Sequence, residues 1–229
     1  MIFADIISDI LEIKNAVNDD TDLEEMWILH KFFTYRAIHI SFEYSMTNQI
    51  NPAWLQRHPK IDVTRINAAD DPSIVYSTVQ IGKATIPKVI PLQDNLGLYR
   101  VSGSSGINNL EPCDFGRMMM KAYINEERAP NSGYYSQVNN HIYVWPYCPA
   151  ISAFLIAANP LDVPYNDNGV IRALTLEDEC PVDQMIAQKA VIDFLTKDMA
   201  IKESTISDIT NDSQSELKMM RNYGTRNSG

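Results

Sequence analysis

The stretch "GYYSQVNNHIYVWPYCP", residues Gly133 to Pro149, constrains the fold more than any other part of the chain. Two runs of alternating character flank Asn139-Asn140, a pair that tolerates the positive φ a two-residue hairpin turn requires. The turn then fixes the register. Val138 faces His141, Ser136 faces Tyr143 and Tyr134 faces Trp145 on one side of the ribbon, while Tyr135 meets Val144 on the other. Five aromatics, a His and a Cys in one stretch thus explain themselves first as structure.

On either side of this hairpin the periodicity changes. Ile2, Ile6, Ile7, Ile10, Leu11 and Ile13 recur at helical spacing and predict a first helix ending near Asn18-Asp19-Asp20. A second helix is expected from Thr21 or Asp22, where Thr21 and Glu24 form a capping box, through Trp27, Ile28, Phe32, Phe33, Ala37, Ile38 and Ile40 to about Asn48. From Asn51 prolines punctuate short β-branched runs such as "SIVYSTVQI" and "ATIPKVIPL", and Leu98 to Val101 reads as a strand before a Gly/Ser turn. "EPCDFGRMMMKAYINE" predicts a short helix opening after Pro112 or Asp114, with Met118, Met119, Tyr123 and Ile124 buried. "AISAFLIAANPLDV" is a further strand. The helical period returns at "LEDECPVDQMIAQKAVIDFLTKDMAI", with Pro181 at the first helical position and Val182, Met185, Ile186, Val191, Phe194 and Leu195 facing inward.

The expected fold class is therefore α+β. Helices in 1–50 and 176–201 pack together as a helical part, 51–175 is a β-rich middle forming a small sheet or sandwich, and 202–229 is an extended polar tail. With 229 residues, 45% of them hydrophobic, the chain can bury a real core. Its formal charge of -10 argues against a protein that grips nucleic acid through the phosphates. No run of eighteen apolar residues is present, so no membrane span is expected. The N-terminus lacks the cationic start of a signal peptide and carries Asp5, Asp9 and Glu12 inside its apolar run. Cys113, Cys148 and Cys180 are odd in number and lack a CxxC pair, which fits buried free thiols.

Candidate chemistry is sparse. His141 and Cys148 lie close in sequence, but a thiol needs an electropositive setting to ionise and no Lys or Arg adjoins them. "PYNDNGVIRALT" has Asn166, Asn168 and Gly169 at calcium-loop offsets, yet Pro164 and Thr175 stand where the anchoring carboxylates belong, so it reads as a polar turn. "SGSSG" has glycines for a phosphate cradle and no following Lys. Lys31, Arg36, Arg57 and Lys60, with His30, His39 and His58, make 30–60 the least acidic zone, and on a long helix Lys31 and Arg36 read as its solvated face. No catalytic set, metal site or cofactor site is expected. A small metal-dependent hydrolase or nuclease built on His141 or a carboxylate cluster, and a carbohydrate-binding module built on exposed aromatics, are the alternatives.

The order of segments, with "YRAIHISFEYSMTNQINPAWLQ", "KATIPKVIPLQDNLGLYRVSGSSG", "YYSQVNNHIYVWP", "CPVDQMIAQKAVIDFLTKDM" and "SDITNDSQSE", resembles the ring, or head-to-tail adaptor, proteins of short-tailed phages, and among them the virion ring proteins of crAss-like gut phages. The likeness runs over residues 1 to 216 and rests on segment order rather than on a reactive motif. It implies a non-enzymatic virion protein, made in the host cytoplasm, that assembles as a homo-oligomeric ring of twelve beneath the portal and above the tail. Its partners would be the portal protein, other ring and tail proteins, and genomic DNA passing through the lumen without specific binding. The tail from about Lys202 would order on a partner subunit. Candidate interface residues on this reading are Tyr134, Tyr135, His141, Tyr143 and Trp145 of the hairpin, with Lys31, Arg36 and Arg57 from the less acidic zone.

Overall fold

The computed structural model describes residues 1–17, 24–67, 70–71, 74, 81–93, 97–103, 109–124, 133–167 and 169–200. The expected capping box at Thr21, most of "SIVYSTVQI", the Gly/Ser turn after Gly103 and the tail from Lys202 lie outside them. The architecture is α+β, and the chain divides into two compact units, one of residues up to His39 together with those from Leu176 onward, the other Ile40–Thr175.

In the first unit, α1 (Phe3–Val17) buries Phe3, Ile6, Ile7, Ile10 and Ile13, an i, i+3, i+4, i+7 stripe. Its first N–H groups have no partner within the helix and would be orphaned. A turn at Leu176–Asp178 satisfies them: the Phe3 N–H donates to the Asp178 carbonyl at 3.2 Å and the Ala4 N–H to that of Leu176 at 2.9 Å. The helix α2 (Glu25–Thr47) brings Ile28, Leu29, Phe32 and Phe33 against this core, Phe33 meeting Phe3 edge-on at 5.9 Å. Its residues from Ile40 belong to the second unit, and it ends where Asn48 takes φ 52°.

The helices at Phe115–Ile124 (α3) and Gln184–Asp193 (α4) both depart in part from the sequence reading. α4 (Gln184–Asp193) does not begin at Pro181; the Asp183 carboxylate caps it by accepting from the Ile186 N–H at 2.9 Å, leaving Pro181 outside. That start sets the phase. Ile186, Ala187, Ala190, Phe194 and Leu195 are buried, whereas Met185, expected inward, is exposed and Val182 and Val191 are only half-buried. The last turn, Phe194–Asp198, widens into a π-helix. α3 (Phe115–Ile124), in the second unit, opens after Asp114 as expected and buries Met118, Met119 and Ala122. Tyr123 and Ile124, expected buried, are exposed, because Ala122 closes the packed face and the last residues run past it.

The second unit is built on one sheet of eight strands: β1 (Gln56–Asp62), β2 (Thr64–Ile66), β3 (Ile81–Thr85), β4 (Leu98–Gly103), β5 (Asn109–Pro112), β6 (Tyr134–Val138), β7 (His141–Trp145) and β8 (Ala150–Leu155). Their order is β1-β8-β4-β5-β6-β7-β3-β2, antiparallel except for the parallel β5–β6 pair. β1 and β2 are thus the two edges, yet only Val63 separates them in the chain. Laid flat, seven strand spacings of about 4.8 Å would hold the edges roughly 34 Å apart, and one residue spans about 3.4 Å. The sheet must therefore roll until its edges meet. Inside the roll lie Ile61, Val63, Ala84, Leu98, Val101, Tyr135, Ile142, Val144, Ile151, Ala153 and Leu155. Ser102 and Ser152, also buried, satisfy each other at 2.9 Å. β9 (Tyr165–Asp167) and β10 (Val170–Arg172) form a separate two-stranded hairpin, whose turn closes with the Gly169 N–H on Asn166 Oδ1 at 2.9 Å.

The β6–β7 hairpin has the register read from its sequence: Tyr134↔Trp145, Tyr135↔Val144, Ser136↔Tyr143 and Val138↔His141, with Asn139 at φ 55°. Gly82 marks where the rolled sheet closes. A Cβ there would collide with Val63 and Val144 side chains. Gly82→Ala is expected to lower stability by about 1–3 kcal/mol in urea denaturation, whereas Gly103→Ala, whose Cβ would meet nothing within 4 Å, leaves the midpoint unchanged.

Candidate assembly surfaces

The hairpin that carries five of the candidate residues is clad on both faces. Tyr135, Ile142 and Val144 point into the roll. On the opposite face Tyr143 and Trp145 pack with Ile66, Ile74, Ile81 and the α3 residues Met118, Met119 and Ala122. Tyr134 stacks on Trp145 at 6.1 Å with an interplanar angle of 7°, Phe115 meets Tyr143 edge-on at 4.7 Å, and Lys121 Nζ sits 3.6 Å above the Tyr134 ring. Burying Tyr135, Tyr143 and Trp145 answers where the aromatics go: they build the subunit. What the hairpin offers to a partner is its tip, where Val138, Asn139 and Asn140 are exposed and His141 is half-buried.

His141 Nδ1 lies 3.3 Å from Thr85 Oγ1 on the neighbouring strand. Cys148 is half-buried, and burial pushes its thiol pKa up, away from the thiolate a nucleophile needs. Among the described residues, no three His, Cys, Asp or Glu side chains gather in metal-binding geometry. A groove of about 490 Å³ opens where β5 ends and β4 and β6 diverge, and Arg100, Asn109, Asp114 and Gln137 give it a polar lining. Gln137 Oε1 is buried there without a hydrogen-bond partner.

Lys31, Arg36 and Arg57 have three different fates. Arg57 is exposed on the edge strand β1. Lys31 pairs with Asp198 at 2.6 Å; the Tyr35 hydroxyl donates to the same carboxylate at 2.7 Å, and His39 and Lys197 reach Asp193 at 3.0 and 2.8 Å. The Lys31 hydrogen bond is the main reason that the Asp198 pKa is held below its ordinary value, and desolvation, with Asp198 as acceptor, pushes Tyr35 up to about 12. Exposed pairs of this kind contribute little singly, but they fasten the last turns of α4 to α2. Arg36 corrects the sequence reading: it is wholly buried, not on a solvated face. Its Nε and Nη2 both donate to the Pro181 carbonyl, at 3.0 and 2.7 Å. Desolvation lowers its pKa to about 10, which leaves it charged at neutral pH, and burial raises the nearby Cys180 thiol to about 12.

Among the described residues, exposed apolar features that the sequence reading did not anticipate lie on α2, on the β9–β10 hairpin and on α3, where Met120, Tyr123 and Ile124 share one exposed face. On α2, Ile38, Phe42 and Met46 recur at i, i+4, i+8, and are 53%, 61% and 71% exposed, on the side away from Arg36, Ile40 and Tyr44. The signal was present in "AIHISFEYSMT", which is apolar on two helix faces at once. On the β9–β10 hairpin, Tyr165, Val170 and Ile171 are exposed on both faces of a ribbon that belongs to no larger sheet. Charge is also divided unevenly: the first unit carries 18 acidic and 9 basic residues, the second 11 and 10.

Arg36→Leu strands the Pro181 carbonyl and is expected to cost about 2–3 kcal/mol in chemical denaturation, with Arg36→Lys recovering only part of it because the fork is lost. His58 on β1 has a buried Nδ1 without a partner, and burial lowers its pKa below 6.5. The unfolded chain then takes up the proton at higher pH than the folded one, so this contribution is full above the unfolded value and is lost as pH falls through the window below it. The urea midpoint should drop as the pH falls below the ordinary histidine value of 6.5 in the native chain, and drop less in His58→Asn.

Compared with known proteins, residues 5–217 match the model of one family, described as phage tail ring protein 2 of the crAss ring group. No curated protein matches the chain.

Proposed function

The chain belongs to the phage tail ring protein 2 family, which makes it a ring component of a phage virion, and we propose that it forms a closed, non-catalytic ring at the portal vertex. In this reading twelve copies join the capsid portal to the tail, and the genome passes through the lumen on its way in and out. The observation that carries the reading is the extent of the family match, residues 5–217, which takes in both compact units. No hydrolase or lectin chemistry is needed to account for the residues first singled out. Tyr135, Tyr143 and Trp145 are spent on two cores, and the Cys148 thiol is pushed towards its neutral form.

The charge division supports a role beside DNA. A conduit must let phosphates slide, and cations arrayed along it would hold them by counterion release. The first unit, with two acidic residues for every basic one, is suited to face the duplex, and the nearly neutral second unit to pack against protein. The hairpin tip at Val138 to His141 and the exposed Arg57 are the parts of the original candidate set open to a neighbouring virion protein.

Mass photometry of the purified chain, alone and mixed with portal complexes from the same genome, tests the ring. A species near twelve times the 25.9 kDa chain is expected, alone or on the portal. A chain that stays monomeric and ignores portal at every concentration contradicts it.

A further inference from the structure

A closed ring of identical chains requires two different surfaces on each subunit, one seated on the other, because a self-complementary patch ends growth at a pair. The β9–β10 hairpin carries two such surfaces in its own backbone. Only two residues separate its strands, which makes the closing pair, Asp167 and Val170, a hydrogen-bonded one, and bonded and unbonded pairs then alternate along the ribbon. Tyr165 and Arg172 form the next bonded pair. Asn166 and Ile171, between them, are unbonded within the ribbon, so their N–H and C=O groups point outward, one set on each edge. The hairpin belongs to no larger sheet, and β9 runs near β1 without a bridge to it. Tyr165, Asn166, Asp167, Val170 and Ile171 are all exposed. A two-stranded ribbon of this kind is marginally stable in water by itself, and its open edges are templates for a further strand.

We propose that the outer edge of β10 pairs, as an antiparallel strand, with the outer edge of β9 in the next copy of this chain in the ring. The inference rests on the ring reading and names the contact that closes it. Two hairpins set side by side in one direction bring Ile171 of one opposite Asn166 of the other, and these residues exchange both backbone bonds without any shift of register. The same alignment sets Val170 opposite Asp167 and Arg172 opposite Tyr165. Arg172 thereby faces the neighbour's Tyr165 directly and its Asp167 diagonally. Those are the groups it already contacts within its own ribbon, lying over the Tyr165 ring at 5.3 Å and 3.9 Å from the Asp167 carboxylate. Like edges fit less well: two β10 edges meet about a two-fold axis, bring no carboxylate to Arg172 and stop at a dimer. Backbone pairing also excludes other seats. The exposed faces of α2 and α3 present side chains alone, because helix N–H and C=O groups bond within the helix, and β1 offers a bulged edge interrupted by Pro59.

The test uses the full-length chain and reads assembly by mass photometry, with and without portal complexes. Ile171→Pro removes an N–H that the ribbon does not use internally, at an edge position where proline is tolerated. It should leave the circular dichroism spectrum and the melting temperature unchanged, weaken subunit association by about tenfold or more, and fail to close a ring. Ile171→Thr keeps the N–H and the strand preference while giving up the apolar side chain, and should form rings. Val170→Cys mixed with Asp167→Cys and mildly oxidised should give a disulfide between copies joining those two positions, identified by mass spectrometry above the background of the three native cysteines. Val170→Cys alone should not dimerise through that position. Rings from a folded Ile171→Pro chain, no rings from Ile171→Thr, or a mixture without the cross-link between positions 167 and 170 overturns the strand pairing while native rings persist. A native chain that forms no ring even on the portal overturns the ring reading itself.

Discussion

The second unit depends on one covalent fact: a single residue, Val63, joins the two edge strands of an eight-stranded sheet. That link rules out a flat sheet and forces the strands to roll around a common core. Gly82 provides the clearance for the closure, since Val63 and Val144 occupy the space a Cβ would need. Irregularity is placed where it is tolerated. β1 carries Pro59 within a bulge between His58 and Ile61, on a strand that pairs only with β8, so the missing N–H costs no ladder bond. Rolling also leaves few open strand edges, which suits a protein packed at high local concentration beside copies of itself.

The first unit is organised by satisfied backbone ends. Leu176 and Asp178 supply carbonyls to the start of α1, the Cys180 N–H donates to the Met1 carbonyl, the Pro181 carbonyl accepts both bonds from the buried Arg36, and Asp183 caps α4. A few residues between Leu176 and Asp183 therefore hold three helices in place. Among the described residues of this unit, the buried Arg36 is spent internally on the Pro181 carbonyl, while the unit as a whole carries an acidic excess.

Local signals in the sequence place the four helices, the strands β4 and β8 and the β6–β7 hairpin, but not β1, β2, β5 or the β9–β10 hairpin, and "ATIPKVIPL" is strand only at Ala84 and Thr85. The Asn139-Asn140 turn gave the β6–β7 register residue by residue, and the helical stripe of α1, the end of α2 near Asn48 and the opening of α3 after Asp114 all follow from short-range pattern. What could not be read was non-local. The rolled sheet depends on which strands become edges, and Arg36 on the arrival of Pro181 from 145 residues away. The start of α4 was misplaced because two short-range rules competed, and the Asp183 cap outweighed the preference of Pro181 for a first turn. Aromatic density around Tyr143 and Trp145 drew attention to a core, while the stripe at Ile38, Phe42 and Met46 lay hidden in a helix that already had one apolar face.

A chain whose chemistry is spent on packing and whose unspent features are surfaces is a building block. The most direct measurement is cryo-electron microscopy of the particle it forms, alone or seated on its portal, with symmetry determined from end-on views. The account requires a closed ring with rotational symmetry, an open channel, and the helical unit lining it. A two-fold dimer, an open filament, or a ring whose channel is lined by the β-sheet unit would contradict it.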